Sequence, residues 1–199
     1  MYVCLLFIKI GEAAQMDFKT VLKELKDGNE RFVTEKLLHP RRDREILKAV
    51  QQEQKPIAVI LSCSDSRAAP EIIFDQGIGD LFIVRIAGNV LSPFGLESVK
   101  FAILALKTPL IVVLGHQDCG AVKAVVQSNT TLIPQIAEQI EQHCKSQDLS
   151  ECIKENVKGV VLDLKKNKEL KSLIDQSMIA VVGGYYELGT GRVSFFEGT

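Results

Sequence analysis

Four short runs of apolar, mostly β-branched residues restrict the architectures open to this chain. They are Ile57-Ala58-Val59-Ile60-Leu61, Leu81-Phe82-Ile83-Val84, Leu110-Ile111-Val112-Val113-Leu114 and Ile179-Ala180-Val181-Val182. None alternates apolar with polar. A strand wetted on one face alternates, whereas a strand covered on both faces reads as a continuous apolar run. Helical candidates lie between the runs, at 95–107, 120–127, 133–145 and 150–166. Strands alternating with helices predict an α/β fold with a central, mostly parallel sheet flanked by helices. Residues 192–196 alternate less clearly and read as an antiparallel edge strand.

Ahead of the first run the pattern is helical. Phe18, Val21, Leu22 and Leu25 recur at helical spacing, and Asp17 is a candidate N-cap. Residues 17–36 therefore form an N-terminal helical arm. Gly28 interrupts the pattern without ending it. Residues 41–54 read as a second, mostly solvated helix ended by Pro56. The segment 1–16 is read as an extension before a single domain at 17–199. Its apolar run, Val3 to Ile8, is too short to span a bilayer and lacks the basic flank of a signal peptide.

Composition narrows the partners. The 24 basic and 25 acidic residues nearly cancel, and no long basic run points to nucleic acid or to a membrane surface. Five cysteines, an odd number, fit a reducing cytoplasmic compartment with thiolate ligands better than a secreted disulfide scaffold. Cys4, Cys144 and Cys152 lack metal-like spacing. His143 and Cys144 read as surface residues of a polar helix, and His39, beside Pro40, as a loop residue. No G-x-G-x-x-G follows a strand, so a dinucleotide site is not supported.

The chemistry is concentrated in Cys63-Ser64-Asp65-Ser66-Arg67 and His116-Gln117-Asp118-Cys119-Gly120. Each cluster follows a strand, and in an open parallel sheet such loops emerge at one carboxyl edge, where ligands bind. His116 and Cys119 are three apart, a spacing one turn of helix can present to one ion. Two thiols and one imidazole are three zinc ligands. Three protein ligands with a fourth position open is the catalytic rather than the structural pattern.

These clusters resemble those of β-class carbonic anhydrases. The resemblance extends to Gly28-Asn29-Glu30-Arg31-Phe32, to 75–85 with Ala87-Gly88-Asn89, and to Tyr186-Glu187-Leu188-Gly189-Thr190-Gly191-Arg192. It covers residue 17 to the end. It implies one Zn2+ per chain, held by Cys63, His116 and Cys119, whose bound hydroxide attacks CO2 to give bicarbonate. Asp65 would accept the hydroxide's hydrogen bond and Arg67 would hold Asp65, which in this family can also swing onto the metal. Two thiolates formally neutralise Zn2+, so activity is expected to climb toward alkaline pH.

The resemblance also implies substrate-binding roles for Gln54, Phe82, Phe101 and Gly120, with Gln54 and Phe82 lining a small pocket at a subunit boundary. Phe101 stands where one group of the family carries a pocket tyrosine, so that hydroxyl is missing. The bicarbonate-regulated group uses a tryptophan and a glycine where this chain has Ile60 and Ser62, so bicarbonate inhibition is not expected. A homodimer or homotetramer is implied. Three rivals remain: a carbonyl sulfide or carbon disulfide hydrolase on the same scaffold, a non-enzymatic zinc-binding module, and a thiol redox protein. The last would need a close cysteine pair, and the chain has no C-x-x-C.

Overall fold

The computed structural model describes residues 16–197. Residues 1–15 of the N-terminal extension lie outside it. The chain runs α1 (Phe18–Val33), α2 (Arg44–Ala49), β1 (Ala58–Ser62), α3 (Pro70–Ile73), β2 (Leu81–Arg85), a one-turn 3-10 helix (Ala87–Asn89) and α4 (Pro93–Leu104). It continues with β3 (Leu110–His116), α5 (Gly120–Val126), α6 (Pro134–His143), α7 (Leu149–Lys166), α8 (Lys168–Asp175), β4 (Ala180–Tyr186) and β5 (Val193–Glu197).

The strands form one sheet in the order β2-β1-β3-β4-β5. The first four are mutually parallel, and β5 returns antiparallel to β4. The continuous apolar runs follow from burial on both faces. Ala58 and Ile60 of β1, with Leu110, Val112 and Leu114 of β3, pack against Val21 and Leu25 of α1 and Phe74. Val59, Leu61, Ile111 and Val113 point the other way, onto Val99 and Ile103 of α4 and Val157, Val160 and Leu164 of α7.

Asp17 caps α1, accepting from the Thr20 N–H at 2.8 Å. Gly28 sits mid-helix because α1 presses on the chain after α3: a Cβ there would lie 1.9 Å from the Phe74 carbonyl oxygen. The helix expected over 41–54 is confined to Arg44–Ala49, started by the Asp43 cap. It buries no residue, so nothing beyond its cap holds further turns. Three elements lacked a readable signal: α3 and the 3-10 turn are too short for periodicity, and α8 follows α7 across the single residue Asn167.

Candidate active site

The β1 and β3 chains leave the sheet side by side, with Ser62 paired to Leu114. Cys63 is the first residue after β1 and His116 the last of β3. Cys119 follows a tight turn in which Asp118 takes a left-handed φ of 52°, and it stands as the N-cap of α5. His116 and Cys119 therefore do not share a helical turn, contrary to the reading from their spacing. A strand end and a helix start converge because the turn reverses between them.

The ligand atoms of Cys63, His116 and Cys119 all lie within 4.8 Å of one another, and all three residues are buried. The two sulfurs are 3.9 Å apart. A tetrahedral zinc with Zn–S bonds of about 2.3 Å spaces two sulfurs by about 3.8 Å. The His116 Nδ1–H donates to the Gln117 carbonyl at 2.9 Å, which directs the Nε2 lone pair inward. Buried Nε2 has no hydrogen-bond partner. A buried imidazole nitrogen without a partner, beside two thiols, fits a soft divalent cation.

Electrostatics agree with that fit. Cys119, by donating to the Cys63 sulfur, lowers the Cys63 pKa against the opposing effect of burial. The same contact with Cys63, together with burial, raises the Cys119 pKa. One proton thus leaves the pair readily, and a cation is what would release the second. Burial opposes charge on His116, but the adjacent Cys63 outweighs it and raises the imidazole pKa.

Asp65 is not among the clustered ligands. Its Oδ1 accepts from the Arg67 backbone N–H and from Nε, both at 2.9 Å, and its Oδ2 accepts from Nη2 at 2.7 Å. Oδ2 stands 3.9 Å from His116 Nε2. Arg67 holds the carboxyl well below the usual carboxylate range, against a smaller opposing effect of burial. Arg67 also reaches the Asp118 carbonyl at 3.5 Å, linking the two loops. Arg85, at the end of β2, donates to the carbonyls of Cys63 at 2.9 Å and Asp65 at 2.5 Å. Sequence reading missed Arg85, although an arginine ending an apolar strand is a visible signal.

The other expected site residues are dispersed. Gly120 opens α5 beside Cys119, and a Cβ there would meet nothing within 4 Å. Phe82 lies on the edge strand β2 opposite Val59, four residues before Cys63 and so about 13 Å back along the sheet. Its ring packs 6.3 Å from that of Phe101 on α4, and Phe101 is half exposed. Gln54 is exposed ahead of β1. Phe82 and Phe101 therefore lie away from the Cys63–His116–Cys119 cluster of their own chain.

His39 lies in a loop, with its backbone N–H on Asp75. His143 is not a surface residue. Its ring occupies the space over Gly159 and its Nε2 sits 3.0 Å from the Asp163 carboxylate. Cys144 is bonded to Cys152. These two cysteines meet without a C-x-x-C because the end of α6 and the first turn of α7 are brought together by the intervening loop. No helix among the described residues is long and apolar enough to cross a membrane.

A protein-family model described as "Carbonic anhydrase" matches residues 58–193. A carbonic anhydrase of Mycolicibacterium smegmatis is 53% identical over 106 residues, which are 53% of this chain and 52% of that protein. That alignment takes in about half of the M. smegmatis protein. "Carbonic anhydrase 2" of Mycobacterium tuberculosis is 38% identical over 183 residues, covering 85% of this chain and 88% of the relative. Among solved structures, one of the tetrameric β-carbonic anhydrases of Sordaria macrospora shares the fold with a TM-score of 0.65. It is 22% identical and covers 89% of this chain and 97% of its own.

Proposed function

Because the chain belongs to the β-class carbonic anhydrase family, we propose that it catalyses the reversible hydration of CO2 to bicarbonate and a proton, with one Zn2+ per chain on Cys63, His116 and Cys119. The observation that carries this reading is the partnerless His116 Nε2, set beside two sulfurs 3.9 Å apart. When bound, zinc would supply the Lewis acidity that makes a water-derived nucleophile available, the more so as pH rises.

The protein's own groups divide the remaining work. Asp65 stays ionised and accepts a hydrogen bond at Oδ2, which orients an incoming water. Arg67 holds both carboxylate oxygens and so sets that direction. Gly120 leaves space beside Cys119.

The assembly is a homo-oligomer, a dimer or tetramer, that buries the outer face of α4. Phe94 and Phe101 are 81% and 52% exposed on that face, a large apolar area for water to meet. A second copy there would also account for Phe82 and Phe101 lying away from their own chain's Cys63–His116–Cys119 cluster. The reduced thiols of Cys63 and Cys119 suit a reducing, cytoplasmic compartment, while the Cys144–Cys152 bond is one that such a compartment opposes.

Stopped-flow CO2 hydration on zinc-quantified protein between pH 6 and 9 tests the function. We expect about one zinc per chain, a rate that climbs toward alkaline pH, and loss in chelator but not in dithiothreitol. Zinc without hydration, together with turnover of carbonyl sulfide or carbon disulfide, would move the assignment to a hydrolase on the same scaffold. A flat profile from pH 6 to 9 would contradict the two-thiolate ligand set.

A further inference from the structure

We propose that Asn156 is a positioning residue of the metal centre, acting on the Cys63 sulfur by fixing the backbone conformation of Gly88, whose carbonyl and N–H lie in adjacent peptide groups. Asn156 stands on the face of α7 that buries Cys152, Ile153, Val157, Val160, Val161 and Leu164. It is the polar member of that apolar stripe and is fully buried. An amide in such surroundings is costly, the more so because its Oδ1 has no partner, and the bond made by Nδ2 is what offsets that cost.

Its Nδ2–H donates to the Gly88 carbonyl at 2.8 Å. Gly88 has φ 68° and ψ 15°, a left-handed conformation inside the 3-10 turn. A Cβ there would lie 2.8 Å from Ile140 Cδ1 and 3.2 Å from Ala121 Cβ, so both backbone shape and space call for glycine. In that conformation the Gly88 N–H donates to Cys63 Sγ at 3.3 Å. The chain of contacts is therefore side-chain amide to carbonyl, across 68 residues of sequence, then backbone N–H to ligand sulfur, across 25 more.

An N–H aimed at a ligating thiolate fixes its lone pairs and withdraws electron density from it, as outer hydrogen bonds at metal centres do. Arg85 differs in kind. It grips the carbonyls of Cys63 and Asp65 and makes no contact with sulfur. Asn156 governs the sulfur, whereas Arg85 governs the loop that carries it.

The inference rests on the metal-binding reading above, and its test separates the two. The variant is Asn156→Leu, close in shape and lacking the donor. Asn156→Ala, which removes the donor outright, is the second variant should the first not fold. Zinc affinity is measured by chelator competition, and the sulfur-to-metal charge-transfer band is recorded on the cobalt-substituted protein.

We expect affinity to fall roughly tenfold with native far-UV circular dichroism, and the charge-transfer band to shift, which loss of packing alone would not do. In wild-type protein loaded with cadmium-113, the Gly88 amide proton should couple to the metal through sulfur. A folded variant with unchanged affinity and an unchanged band would overturn the role of Asn156. Absence of the Gly88 coupling would overturn it as well, even if neither variant folds. Failure of the wild-type protein to bind metal would instead strike the metal-binding reading.

Discussion

Asp65 is held by Arg67, and Asp75 is held by Arg31 at 2.6 Å. The two carboxylate–guanidinium pairs are alike in chemistry and differ in what surrounds them. The Asp75 side chain is fully buried, and its remaining lone pairs accept from the backbone N–H groups of Leu38 at 2.9 Å and His39 at 3.1 Å. These bonds tie α1 and the loop that follows it to the segment after α3, at a site closed to solvent. The Asp65 side chain is 17% exposed and that of Arg67 is 50% exposed. There the second carboxylate oxygen faces the His116 nitrogen that has no partner. An ion pair closed off from solvent is a structural fastener, while an equally well bonded pair with one oxygen aimed at an unsatisfied group is poised for chemistry.

The sharpest way to break this comparison is to neutralise each carboxylate in turn. Asp65→Asn should cut CO2 hydration by roughly 10²-fold or more while zinc content and urea midpoint stay near wild type. Asp75→Asn should do the reverse, costing about 3 kcal/mol of stability because Arg31 loses a buried partner, with hydration per folded molecule retained. If both variants lose the same property, the distinction between the two pairs is wrong.

A smaller effect is expected from Arg67→Lys. A lysine ammonium is a point charge and cannot grip both oxygens of Asp65. Hydration should fall roughly tenfold with little change in stability, and a wild-type rate would mean that the forked geometry is unimportant.

The smallest effect is a pH dependence of stability. Burial works to raise the Asp75 pKa, but the Leu38 N–H, Arg31 and the His39 N–H outweigh it, and the folded-state pKa is lowered. A lowered folded pKa adds stability that is present above the unfolded value of about 3.9 and is lost as pH falls through the folded one. The difference in urea midpoint between wild type and Asp75→Asn should therefore hold steady from about pH 8 to 5 and narrow only below about pH 4. Narrowing at higher pH would show that Asp75 is not held as its contacts indicate.

Much of the fold was legible because the core strands announce themselves. Val59 and Ile60 are adjacent and face opposite layers, so a run that is apolar at both positions already implies a covered sheet. The clustering of the candidate metal ligands was legible for a related reason, since Cys63 and His116 stand at the ends of neighbouring parallel strands. Residues whose roles depend on distant partners were not legible. Asn156 looks like any polar residue of an amphipathic helix until Gly88 is found beneath it. His143 looks solvated until Gly159 makes room for its ring. Cys144 and Cys152 carry no spacing motif, since the helix ends that join them are placed by packing.

Sequence alone determined the α/β class, the order of the strands along the chain and the types of the ligands, because periodicity and chemical identity are local properties. Only the tertiary structure decided which carboxylate is closed off and which faces His116, that His116 and Cys119 meet across a turn rather than along a helix, and that the Asn156 amide bonds the residue whose N–H meets the Cys63 sulfur. Those depend on distances between segments far apart in the chain, and such distances are set by how the layers pack rather than by any one segment's own residues.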